Sequence, residues 1–167
     1  MYKRQLHKFF EDLSDQLRPD LIEQGIRLEL VLRDRGIGHF DEEKMQRVFH
    51  NLARNAAEAI GGRAGTCRLE VDRSDSGSLV LTFADDGPGV SEQIRERLFD
   101  SFTTHGKKTG TGLGLAIVRS IVEDHGGTIS MESEPGNTSF TIVLPQREVT
   151  SDSEHPQDEK AQSDGAS

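Results

Sequence analysis

Asn51 and Asn55 stand four residues apart in the run Asn51-Leu52-Ala53-Arg54-Asn55-Ala56. On a helix they fall one turn apart, and each offers a neutral amide oxygen of the kind Mg²⁺ accepts beside water and phosphate. A second run, Asp85-Asp86-Gly87-Pro88-Gly89, sets a carboxylate beside a glycine-kinked backbone that can admit a flat base. A third, Gly110-Thr111-Gly112-Leu113-Gly114-Leu115, has the composition of a glycine-rich helix start, whose N–H groups can cradle phosphates. Metal, base and phosphate are the three parts of a magnesium nucleotide. A buried carboxylate accepts a hydrogen bond from the exocyclic amine of adenine and repels the carbonyl that guanine presents there, so ATP is favoured over GTP. Asp85 is preferred to Asp86 for this role because it follows a strand pattern directly and lies two residues before Gly87. Lys107 and Lys108 can add positive charge near the phosphates. Rival glycine motifs do not fit: the Rossmann pattern needs a strand just before it and a third glycine one place beyond Gly114, and a P-loop needs glycine where Ser101 stands.

Such residues need elements to hold them. Met45, Val48, Phe49, Leu52, Ala56 and Ile60 form one apolar helical stripe, opened by Asp41 as N-cap and closed by Gly61-Gly62. Asn51, Asn55 and Glu58 fall along the border of that stripe, where a polar group can face a ligand while its helix stays anchored. Leu6, Phe9, Phe10, Leu13 and Leu17 predict an earlier helix that ends near Arg18, ahead of Pro19. Ile26, Leu28, Leu30 and Leu32 alternate as a half-buried strand, after which Gly36 and Gly38 read as a loose connection. Cys67, Leu69 and Val71, then Leu79, Leu81 and Phe83, predict an antiparallel hairpin that delivers Asp85 at a strand end. Ile94, Leu98 and Phe99 mark a short helical piece, and residues 103–110 lack any core pattern and read as a mobile flap. Leu115, Val118, Ile121 and Val122 predict a third helix, stopped by Gly126-Gly127. Strands over 128–133 and 139–144, joined by Glu134-Pro135-Gly136-Asn137, complete three main helices and about five strands.

A chain of 167 residues fits one domain with one substantial core. Of its formal net charge of −9, residues 148–167 carry −5, with almost no large apolar side chain, so that segment is expected to be a disordered acidic tail after a domain over 1–147. An acidic balance without a basic stripe argues against a nucleic-acid partner. Cys67, the single cysteine, excludes an internal disulfide and reads as a small buried hydrophobe. With no apolar run of membrane-crossing length, the segment is expected to be cytoplasmic, without membrane contact of its own, although it could be the cytoplasmic part of a membrane-anchored sensor.

From about Leu6 to Pro145, roughly five-sixths of its length, the chain resembles the catalytic ATP-binding domain of two-component sensor histidine kinases, within the superfamily shared with gyrase and the heat-shock chaperone ATPase. The segment from Asn51 to Ala59 matches the N box of that family, Asp85 to Gly89 its G1 box, Leu98 to Phe102 its F box, and Gly110 to Leu115 its G2 box. The resemblance implies an α+β fold: a two-layer sandwich whose mixed, mostly antiparallel sheet is covered on one face by three helices, with a mobile ATP lid at about 91–111. Carried over by position, it implies ATP and Mg²⁺ as ligands. Asn51 and Asn55 would contact metal and phosphate, Asp85 the adenine with Gly87 and Gly89 shaping its pocket, and Gly110, Thr111, Gly112, Leu113, Gly114 and Leu115 the phosphates. Phe102, Lys107 and the late-strand Thr138 are further contacts implied in the same way. Ser101, Asn137 and Glu58 stand where many members have proline, glycine and lysine.

Members that hydrolyse ATP resemble one another in a glutamate one turn before the metal asparagine; Asn51 occupies that place here. An amide is no general base, whereas a neutral imidazole is already a nucleophile, so phosphoryl transfer to histidine is expected over ATP-driven clamping of the gyrase or chaperone type. A silent ATP-binding module is the other alternative. His7, His39, His50, His105, His125 and His155 lack the acceptor context of the family and are each expected at the surface. The acceptor is therefore expected on a separate, dimeric helical domain upstream, with a response regulator downstream.

Overall fold

The computed structural model describes residues 2–100 and 114–146. Helix α2, Glu42–Ile60, forms where its stripe and caps demand. Asp41 Oδ1 accepts the Lys44 N–H at 3.0 Å, Glu42 and Glu43 complement the helix dipole, and Gly61 ends the helix at φ 66°. Its apolar side chains, from Met45 to Ile60, lie buried as the periodicity requires.

Helix α1 runs Leu6–Glu23 and carries Pro19 inside it, where the sequence reading ends it near Arg18. Leu17 and Leu21, 3% and 2% exposed, continue the apolar stripe past the proline. Burial of Leu21 is worth about 2 kcal/mol, and the donor that Pro19 lacks would have served the exposed Asp15, whose carbonyl water can reach.

The supposed loose connection around Gly36 and Gly38 is instead a strand, β3 (Ile37–Phe40), paired antiparallel with the unanticipated β1 (Tyr2–Gln5). Phe40 pins this ribbon: it is fully buried, with Phe9 at 4.8 Å and Phe10 at 6.3 Å between ring centroids. Phe10 continues to Phe49 at 5.8 Å, and Phe49 to Phe83 at 6.4 Å, so aromatic contacts run from the ribbon through both helices to the sheet. At Gly38 the packing is close: a Cβ there would stand 2.7 Å from Leu6 Cδ2 and 2.8 Å from Leu79 Cδ1, so those side chains would have to shift to admit it.

The main sheet has the order β2-β4-β5-β7-β6, with β2 at Ile26–Leu32, β4 at Gly65–Arg73, β5 at Leu79–Asp85, β6 at Thr128–Glu134 and β7 at Asn137–Leu144. Among the described residues only β2 and β4 pair in parallel, so the sheet is mixed and mostly antiparallel, as expected. Helices α1, α2 and α4 (Gly114–Asp124) supply its covering layer. On the open face Arg27–Glu29, Arg33–Glu70 and Arg68–Glu70 form exposed ion pairs, which add little stability and much solubility. The short helical piece after β5 is α3, Glu92–Arg95, and Phe99 beyond it packs edge-on to Phe140 at 6.3 Å.

One histidine departs from the surface expectation. His125 is 8% exposed; its Nε2 accepts the Asp41 N–H at 3.0 Å, so the neutral ring carries its proton on Nδ1 and donates it to Ile121 O at 2.7 Å. The end of α4 is thereby tied to the N-cap of α2. His105 and His155 lie outside the described residues.

Candidate nucleotide site

β5 ends on Asp85, a carboxylate only 6% exposed at the last position of an alternating strand. Strand register sets Cys67 of β4 on one side of it and Thr138 of β7 on the other. Asp85 Oδ1 accepts the Gly87 N–H at 2.9 Å, an Asx-type turn that bends the chain away from the sheet. Asp86 is engaged elsewhere: its Oδ1 accepts the Thr66 N–H at 2.9 Å and its own N–H donates to Thr66 O at 3.3 Å. The two adjacent acids thus do different work, Asp86 holding β4 and Asp85 the turn into the loop that follows.

The loop from Gly87 to Val90 is clasped by the β6–β7 turn. Gly136 N–H donates to Gly87 O at 3.0 Å, and Val90 N–H donates to Ser133 Oγ at 2.7 Å. Gly89 adopts φ 89°, and a Cβ there would lie 2.8 Å from Glu134 O, so only glycine fits without displacement. Arg95 of α3 reaches back with Nε to Val90 O at 3.3 Å and with its other terminus to Ser133 O. Ser133 Oγ and Thr138 Oγ1 are 2.9 Å apart, both side chains buried. Neither Ser133 nor Arg95 stands out in the sequence, because strand register and a chain reversal bring them here.

From the helical layer, Ala59 and Ile60 approach the same loop: a Cβ on Gly87 would lie 3.6 Å from each. Asn51 and Asn55 are both half-buried along this helix. Asn51 Nδ2 donates to Arg47 O at 2.9 Å, which turns its oxygen toward the start of α4, where a Cβ on Gly114 would come within 3.3 Å of Asn51 Oδ1. Leu115, half-buried, packs on the core behind Gly114. The fold therefore brings Asn51 to Gly114, Asp85 to Thr138 and Gly87, and Gly89 to the β6–β7 turn. Phe102, Lys107, Gly110, Thr111, Gly112 and Leu113 lie outside the described residues, as does the larger part of the expected lid. Among the described residues no group of three or more histidine, cysteine or acidic side chains is placed to hold a metal. The amide oxygen of Asn51, aimed at a helix N-terminus, is a donor that suits a hard cation shared with phosphate.

Cys67, fully buried beside Asp85, has its thiol pushed up to about 12 by burial first, then by the Asp85 and Asp86 carboxylates. It is a neutral thiol at working pH. The native chain is expected to resist a disulfide reagent such as dithionitrobenzoate at pH 8 and to react with it fully in guanidinium; rapid native labelling would contradict this packing. The unfolded thiol ionises near 9.0 and the folded one near 12, so stability falls as pH rises through that window.

Residues 40–148 match the family described as histidine kinase-, DNA gyrase B- and HSP90-like ATPase. The chain is similar to the C4-dicarboxylate transport sensor protein DctB of Rhizobium meliloti, 44% identical over 140 residues, which cover 83% of this chain and 21% of that protein. Among solved structures it is similar to a mycobacterial sensor histidine kinase, MprB, with a TM-score of 0.76 at 26% identity, covering 87% of this chain and 99% of that one. The fold is also that of the histidine kinase ThkA in its complex with the response regulator TrrA, with a TM-score of 0.73 at 23% identity over 87% of this chain and 42% of that one. The chain spans between 15% and 32% of the length of the curated relatives it matches.

Proposed function

Because the chain belongs to the family of histidine kinase-, DNA gyrase B- and HSP90-like ATPases, we propose that residues 1–147 are the ATP-binding catalytic domain of a sensor histidine kinase, with 148–167 as an acidic tail. The domain binds Mg-ATP and donates the γ-phosphate to a histidine on a separate helical dimerisation domain, from which a response regulator draws it. It works in the cytoplasm, with neither nucleic acid nor membrane as its own ligand.

Adenine sits on the floor formed by Asp85 and Thr138, its exocyclic amine donating to the Asp85 carboxylate. The Gly87–Val90 loop lines the base, and the phosphates lie between the N-terminus of α4 and the Asn51–Asn55 face of α2. Magnesium, held by the amide oxygens of Asn51 and Asn55 with phosphate oxygens and water, would offset phosphate charge there. Gly110, Thr111, Gly112, Leu113, Gly114 and Leu115 cradle the phosphates, with Phe102 and Lys107 closing over them. In the transfer, the lone pair of a neutral imidazole nitrogen attacks the γ-phosphorus in line, the bond to the β–γ bridging oxygen breaks, and ADP leaves. The phosphoimidazolium then gives up its remaining ring proton to solvent. Nothing in this sequence of bond changes needs a general base on α2, and Asn51 is not one.

What supports the reading above all is the buried Asp85 at a strand end, with its loop held against α2 on one side and the β6–β7 turn on the other. The test is transfer from [γ-³²P]ATP to a separately supplied phosphoacceptor hairpin from the full-length protein. Acid-labile, alkali-stable label on the hairpin, abolished by EDTA, is expected. Steady phosphate release with an unlabelled hairpin would instead point to the clamp.

A further inference from the structure

The hydroxyl of Ser133, 8% exposed, sits where three strands of contact meet. Its Oγ accepts the Val90 N–H at 2.7 Å and lies 2.9 Å from Thr138 Oγ1. Its backbone carbonyl takes a hydrogen bond from Arg95, whose Nε also donates to Val90 O. Thr138 is in turn the cross-strand neighbour of Asp85. A serine has one hydrogen to give and two lone pairs to receive with. With Val90 N–H occupying one lone pair, the 2.9 Å bond between Ser133 Oγ and Thr138 Oγ1 can run in either direction, and in either it holds the Thr138 hydroxyl in one orientation.

We propose that Ser133 is a positioning residue for base recognition: its bond to Thr138 Oγ1 fixes the orientation of the Thr138 hydroxyl beside Asp85, and by accepting from Val90 it fixes the loop that lines the base. It does not touch the nucleotide. Ser133 Oγ thus links Val90 N–H to Thr138 Oγ1, so one substitution unlocks both the Thr138 rotor and the loop. The orientation of polar groups in a shielded site matters here because each group left mis-aimed keeps its desolvation cost and loses its bond. This inference rests on the proposal that Asp85 reads adenine.

The experiment uses the whole chain, residues 1–167, and compares affinity for Mg-ATP with affinity for magnesium purine riboside triphosphate, which lacks the exocyclic amine. Ser133→Ala is expected to weaken ATP roughly tenfold while changing the amine-free nucleotide less than about threefold, and Ser133→Thr, which keeps the hydroxyl on a β-favouring side chain, restores ATP. In the transfer assay KM for ATP rises and kcat holds. Equal weakening of both nucleotides, or failure of Ser133→Thr to restore ATP, would mean a merely structural serine and overturns the inference. Should Ser133→Ala fail to fold, Ser133→Cys, of similar volume and weak hydrogen bonding, takes its place with the same expected split. Asp85→Asn is run alongside. If it weakens ATP and the serine variants do not, the inference falls and the base pocket stands; if it leaves ATP unchanged, the pocket reading falls and takes the inference with it.

Discussion

Asparagine in place of Asp85 is expected to weaken Mg-ATP binding between about ten- and more than a hundredfold while the fold persists. The charge-assisted bond from the adenine amine to a shielded carboxylate is worth roughly 1.5 to 3 kcal/mol, which spans that range. Structurally the substitution is mild. An asparagine oxygen can still accept the Gly87 N–H that Asp85 Oδ1 accepts at 2.9 Å, so the turn into the loop survives. What is lost is the charge and one of two acceptor oxygens, and the incoming amide adds a donor where the adenine amine must also donate. Equilibrium binding of a fluorescent ATP analogue, with a thermal melt as the fold control, measures it. Affinity unchanged within twofold would show that the base lies elsewhere.

Alanine in place of Asn55 is expected to lower phosphoryl transfer by roughly a hundredfold, the size of effect seen when one preorganised group is removed from developing charge. Alanine is the best helix former, so α2 itself gains rather than loses local propensity, and the stripe from Met45 to Ile60 stays buried. The control lies in the metal. In EDTA the wild-type and the variant should bind ATP alike, and only added magnesium should separate them. A difference that persists in EDTA would assign Asn55 to packing rather than to the cation.

Chemistry was more legible in this sequence than the contacts that orient it. Helix α2 could be read from end to end because its signals are local: Asp41 caps it, the stripe repeats every turn, and Gly61 closes it in the left-handed conformation. The β4–β5 hairpin was equally plain, since strict alternation fixes which face is buried and therefore places Asp85 at the strand end. Two four-residue strands offer no such period. The β1–β3 ribbon exists because Phe40 is drawn into the aromatic cluster with Phe9 and Phe10, a tertiary effect that a window around Gly36 and Gly38 cannot display. Pro19 misled for the opposite reason: a strong local breaker was outweighed by Leu21 finding the core.

Within the candidate site, the residues proposed to present functional groups are marked by type and spacing, and those packed around them are not. Ser133 meets Val90 across 43 residues of chain, and His125 meets Asp41 across 84, so neither pairing leaves a mark in its own neighbourhood. Asp86 shows the same limit from the other side. It looks as able as Asp85 in the sequence, and only its bonds to Thr66 reveal that it serves the sheet.

Titration calorimetry of the chain with ATP and with GTP, each in millimolar magnesium and again in EDTA, tests the central claim most directly. Saturable heat for ATP in magnesium, weakened in EDTA and at least tenfold weaker for GTP, is the expected result. No heat with ATP, or equal affinity for the two purines, would contradict the placement of adenine against Asp85.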